Sequence, residues 1–225
     1  MTITGMEAPR VVPREEWLTA RQQLLAMEKE CSRALDAVAV QRRALPVVEV
    51  DKDYVFTGPG GTATLGDMFE GRRQLITYHF MWMPESDEGC PTCSFTVDNV
   101  GDLVHLHNSE TSLALVSRAP LASIQRFKER MGWTLPWYSS AGSDFNYDFQ
   151  ASSADPLDGQ DAAGLSVFLR EGDRVFHTYS TFGRGIEVLM STYHYLDLTP
   201  LGRQRQFNEF PHHDRYPQGL TAADG

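Results

Sequence analysis

The chain has 225 residues, 41% of them hydrophobic, enough for one substantial α/β domain with additions and a core that needs no staples. Twenty basic residues against thirty acidic ones give a net charge of −10, which argues against a nucleic-acid backbone or an anionic membrane surface as partner. With no run near the ~18 apolar residues of a membrane span, no basic-then-apolar leader and too few cysteines for a disulfide framework, a soluble protein of the reducing cytoplasm is expected.

Residues 14–45 read as one long helix between Pro13 and Pro46. Trp17, Ala20, Leu24, Met27, Cys31, Ala34 and Val38 recur along it at steps of three and four, as an apolar seam. Such a seam suits either a helix docked on its own domain or an arm that packs on the second subunit of a homodimer, and it makes Cys31 a small packing residue. The helical arm, 1–46, precedes a domain over 47–210 and a loosely held tail, 211–225. Within the domain, 47–50 and 54–56 predict short strands, 58–61 a turn and 64–69 a helical turn. The near-continuous apolar run 75–82 has the length and character of a central strand buried on both faces.

A loop carrying Glu85, Asp87 and Glu88 then leads to Cys90-Pro91-Thr92-Cys93, which opens a helix expected to reach about Asn108. A second buried strand (113–117) and an amphipathic helix (121–131) follow. After them come an aromatic-rich insertion (about 132–163), a hairpin (165–170 with 174–179) and a short helix (185–195). Strand, helix, strand, helix, hairpin, helix is the thioredoxin order, a central mixed sheet flanked by helices, and the cysteines fall where that fold uses them.

Two cysteines at i and i+3 on a first helical turn lie within disulfide reach, about 5–6 Å between Cα atoms. The first thiol faces unsatisfied backbone N–H groups at the positive end of the helix dipole, which favours thiolate, and Pro91 at the first helical position costs no hydrogen bond. Cys90 is therefore the expected nucleophile and Cys93 the resolving thiol. The acidic loop opposes a second anion, so Cys90 is expected to be less acidic than the thiol of a strong oxidant.

The stretches Tyr78-His79-Phe80-Met81, Gly89-Cys90-Pro91-Thr92-Cys93-Ser94, Met131-Gly132-Trp133, Pro136-Trp137-Tyr138-Ser139-Ser140 and Phe176-His177-Thr178-Tyr179-Ser180 resemble the bacterial family labelled domain of unknown function 899. So do Ser117-Arg118-Ala119-Pro120, Ser143-Asp144-Phe145-Asn146, Arg184-Gly185 and Leu196-Asp197-Leu198, so that the resemblance spans nearly the whole chain. It implies a thioredoxin-like architecture and names no substrate. Better-known thioredoxin relatives place a cis-proline before the hairpin, where this chain has Ala162-Ala163-Gly164; peroxiredoxins place a threonine where it has Asp87. General protein-disulfide exchange and peroxide reduction lose ground to a dedicated substrate or a metal.

The leading expectation is an oxidoreductase cycling Cys90 and Cys93 on a protein or small-molecule disulfide, with no cofactor required. Arg118, after the second central strand, would hold an anionic substrate or lower a thiol pKa. Trp133, Trp137, Tyr138 and Phe145 would form an aromatic lid over the cysteines. An alternative uses Cys90, Cys93 and His177 to bind copper or zinc, since soft sulfur and imidazole ligands suit both; His79 is a further imidazole candidate. A third reading is a non-catalytic interaction module built on the N-terminal helix. His212 and His213, in the tail, are expected to do nothing.

Overall fold

The computed structural model describes residues 10–82, 86–153, 161–206 and 208–217. The chain divides into two compact units, Met1–Pro46 and Val47–Gly225. In the first, helix α1 (Arg14–Arg43) carries Glu15 and Glu16 in its opening turn and Arg42 and Arg43 in its last, charges that complement the helix dipole at both ends. No residue of α1 is buried, and Cys31, expected to pack in the seam, is exposed. A lone helix has no second surface within its own unit to cover an apolar stripe.

The second unit is built on a mixed sheet of β1 (Val48–Glu49), β2 (Val55–Gly58), β3 (Gly61–Thr64), β4 (Gln74–His79), β5 (Thr111–Ser117), β6 (Trp137–Ser139), β7 (Gly164–Glu171) and β8 (Arg174–Phe182). Their spatial order is β1-β8-β7-β4-β5-β6-β2-β3. Strands β4, β5 and β6 run parallel, while β7 is antiparallel to β4 and β8 to β7. Helices α2 (Pro91–Asp98), α3 (Val104–His107) and α4 (Leu121–Arg130) fall in the crossovers; α5 (Phe145–Asp148) lies in the insertion and α6 (Ser191–Asp197) follows the hairpin. This is a thioredoxin-like sheet, extended at one edge by the β2–β3 hairpin.

Because side chains alternate along a strand, the apolar run of β4 feeds two cores. Ile76, Tyr78 and Phe80 join one with Cys93, Phe95, Leu115, Phe127 and Trp137. Leu75 joins the other with Phe56, Val116, Phe145 and Phe168, and His79 stacks beside Phe145 there.

Three expected elements are shorter than their patterns suggest. The helix after the cysteines stops at Asp98, where the Asn99 side chain donates to the Phe95 carbonyl, and a new turn begins where Asp102 Oδ1 caps the Val104 N–H. The turn over 64–69 is the end of β3 plus one 3₁₀ turn at Asp67–Phe69, pinned by Thr64 and Asp67. The final helix splits into a 3₁₀ stretch (Gly183–Leu189) and α6. The described part of the tail is not loose: Phe210 stacks on Phe95 at 4.2 Å, and His212 is 1% exposed.

At the start of β7 the hairpin closes so tightly that a Cβ on Gly164 would lie 2.2 Å from Phe182 Cδ1 and 2.6 Å from the Thr181 carbonyl oxygen. Backbone cannot swing aside as a side-chain tip can, so Gly164→Ala should destabilise by about 1–3 kcal/mol, read as a lower urea midpoint.

Candidate active site at the Cys90–Cys93 dithiol

Cys90 is the N-cap of α2, Pro91 its first helical residue, and Cys93 sits one turn in. The end of β4 holds the pair by its backbone: the Met81 N–H donates to Cys93 Sγ (3.4 Å), and the Met81 carbonyl accepts the Cys90 N–H (3.3 Å). Both cysteines are free thiols; Cys93 is fully buried and Cys90 partly accessible.

That difference in access sets their acidities apart. The Cys93 S–H donates to Cys90 Sγ, and the Cys93 N–H, the Thr92 N–H and the Thr92 hydroxyl assist; against the opposing effect of burial they bring Cys90 from 9.0 down to about 6. Burial, the hydrogen bond to Cys90 and the Cys90 charge push Cys93 well above the ordinary thiol value. At neutral pH, a pKa near 6 means roughly ten thiolates per thiol at Cys90. Tyr78, fully buried on β4, feels Cys93 in turn, its hydroxyl driven upward first by burial and then by the neighbouring sulfur's charge.

Neither Asp87 nor Glu88 is among the leading causes of the Cys90 shift. Glu88 is claimed by Arg130 (2.8 Å) and by Arg215, so its charge is compensated before it reaches the thiol. Asp87 is exposed, and Glu85 lies outside the described residues.

The tail supplies a contact that the sequence did not announce. His212 Nε2 donates to the Gly89 carbonyl at 2.9 Å, its ring packs edge-on against Phe127, and Arg130 reaches Asp214 at 2.7 Å. Gly89 precedes Cys90 and has no room for a side chain, since a Cβ there would lie 2.6 Å from Phe80 and 2.8 Å from Phe127. Only the apolar Phe210, two positions before His212, hinted that this segment packs.

The other candidates disperse. Arg118 is exposed; it pairs with Asp161 at 3.4 Å and covers the Tyr147 ring at 4.7 Å, so it braces the insertion. The aromatic lid is divided by the pleat of β6. Trp137 is buried on the cysteine side with Trp133, whose Nε1 donates to Asp98 (2.8 Å); Tyr138 and Phe145 belong to the opposite core. His177 also faces that opposite core, packed against Phe149 and Phe168. It is therefore not brought to the sulfurs, and no three His, Cys, Asp or Glu side chains converge to hold a metal among the described residues. His79, nearly fully buried, has its pKa lowered to about 3 by burial and then by His177.

The model of a bacterial protein family of unknown function, DUF899, matches residues 6–216. The chain belongs to DUF899. None of the curated proteins matches it in sequence. Among solved structures, a mutant of PrxQ from Xylella fastidiosa is 14% identical, with a TM-score of 0.45 over 63% of this chain and 88% of that one. Peroxidoxin BcpB from Mycobacterium tuberculosis is 15% identical, at 0.46 over 66% and 95%. A putative protein disulfide isomerase from Bacteroides thetaiotaomicron is 19% identical, at 0.43 over 66% and 87%. In this DUF899 chain no helix among the described residues is long and apolar enough to cross a membrane.

Two outcomes follow for the dithiol. Alkylation rate against pH should give a Cys90 midpoint near 6, and Cys93→Ala should raise that midpoint by removing the leading hydrogen bond. Because the folded value lies below the ordinary 9.0, the thiolate's contribution to stability is complete above 9 and is lost as pH falls through about 6. Reduced protein should accordingly gain stability over Cys90→Ser between those limits in urea unfolding, and a flat difference would contradict the thiolate assignment.

Proposed function

We propose that the chain is a thiol–disulfide oxidoreductase that reduces a protein or small-molecule disulfide through Cys90 and Cys93. The observation that carries this reading is the division of labour within one helical turn: a partly accessible thiol brought down to about 6 beside a buried thiol pushed up. The nucleophile must be ionised and reachable, whereas the resolving group should remain protonated until the first bond has formed.

In the cycle, Cys90 thiolate attacks one sulfur of the substrate disulfide. A mixed disulfide forms, and the other substrate sulfur leaves as a thiolate that takes up a proton. Cys93 then loses its proton and attacks Cys90 Sγ, forming the Cys90–Cys93 disulfide and releasing the second substrate thiol. The substrate gains two electrons from the pair, one proton from Cys93 and one from solvent, and an external dithiol returns the electrons. The first step consumes the Cys90 anion that had held Cys93 in its protonated form, so the resolving thiol becomes easier to ionise once it is needed.

Asp87 at the position of the peroxiredoxin threonine favours a disulfide over a peroxide as the substrate. The test is reduction of a disulfide substrate panel by the full chain with dithiothreitol as donor. Cys90→Ser should lower turnover at least a hundredfold, and Cys93→Ser should accumulate a mixed disulfide visible as a mass increase. Undiminished turnover in Cys90→Ser would rule the reading out.

A further inference from the structure

On the sheet face opposite the cysteines, four side chains form a continuous hydrogen-bonded line across three strands. His79 Nε2 on β4 meets Ser166 Oγ on β7 at 2.9 Å, Ser166 meets Ser180 Oγ on β8 at 2.8 Å, and Ser180 meets His177 Nε2 at 2.8 Å. The dithiol chemistry uses none of them.

The His177 end of the line is fixed by donor and acceptor inventories. His177 Nε2 also lies 3.1 Å from the Tyr179 carbonyl, which can only accept, so Nε2 carries the proton. Ser180 Oγ therefore accepts from His177. At the far end His79 Nδ1 is buried and without a partner among the described residues. Burial holds both imidazoles neutral. The Tyr179 carbonyl thus fixes the His177 tautomer and leaves Nδ1 as the ring's lone pair.

His177 and Ser180 line a cavity of about 330 Å³, within the range of small-molecule sites. Phe149, Val48 and Val50 give it an apolar wall. Its charges are mainly negative: Glu49, Asp51 and Asp148 stand against Lys52 alone. Arg174 neutralises Glu49, and Lys52 is held between Asp144 and Asp148 at 2.8 and 2.7 Å, so it has no charge to spare for an anion. Asp51 forms no ion pair among the described residues. The lining offers hydrogen-bond acceptors, and its one cation is already committed.

We propose that this cavity is a second site, which binds a small protonated amine: the ammonium is held by Asp51 and donates to His177 Nδ1, and its alkyl portion packs on Phe149 and Val50. The amine is the occupant that supplies donors, positive charge and a short apolar body together. The site is independent of the dithiol.

The experiment is calorimetric titration of the full chain with n-butylamine, and with 1-butanol and butyrate as neutral and anionic counterparts of the same length. Saturable one-to-one binding of the amine, at least about tenfold tighter than either counterpart, is the expected result, since a charge-assisted hydrogen bond is worth roughly one decade or more. Asp51→Asn, an exposed position that leaves the fold intact, and His177→Phe, which keeps a ring in place, should each weaken binding about tenfold, while Cys90→Ser should leave it unchanged. No saturation with the amine, equal binding of butanol, or unchanged affinity in Asp51→Asn would overturn the proposal.

Discussion

The structure turns on two backbone hydrogen bonds at Met81, just past the end of β4. Its N–H points at Cys93 Sγ and its carbonyl takes the Cys90 N–H. The cysteine turn is thereby fastened to the central strand of the sheet and cannot drift with the loop before it. Fixing Cys93 also fixes the S–H that it aims at Cys90, and that bond is the leading cause of the Cys90 thiol's acidity. The chemistry of the accessible sulfur therefore depends on where the buried one is held. A hydrogen bond to a charged acceptor is worth more than one between neutral groups, so the arrangement favours the thiolate most when the turn is rigid.

A second restraint comes from the far end of the chain. His212 holds the Gly89 carbonyl, Phe210 lies flat on Phe95 of α2, and Arg130 with Arg215 compensates Glu88. The folded-back tail braces the peptide ahead of Cys90 from another direction. Its charged residues also remove the repulsion that an acidic loop would otherwise impose on the thiolate.

The sheet was legible because β4 and β5 are continuous apolar runs, which only a strand buried on both faces requires, and because Cys90 and Cys93 fall directly after one of them. The helix dipole anticipated the lowered pKa of the first thiol. Periodicity could not give the break at Asn99, since it depends on two polar side chains choosing backbone partners over solvent. The aromatic insertion misled for a different reason. Composition says that Trp137 and Tyr138 will be buried, but β6 sends adjacent residues to opposite faces, so a cluster in sequence became two clusters in space. His177 was separated from the cysteines by the same parity, which is set by strand register. His212 was invisible because a short polar tail carries no periodic signal, and its burial depends on a contact 123 residues away in sequence.

The two faces of β4 have been put to different electrostatic uses. On one, a buried thiol and a tyrosine hydroxyl both keep their protons more firmly than usual, so negative charge concentrates on the single sulfur that reaches solvent. On the other, burial keeps two histidines neutral, and two serines link them by hydrogen bonds. Residues one step apart in sequence, Tyr78 and His79, belong to these separate systems, and the strand between them carries no side-chain hydrogen bond from one to the other. A sheet of this kind keeps the charge of the thiol turn apart from the protonation of the histidines on its other face.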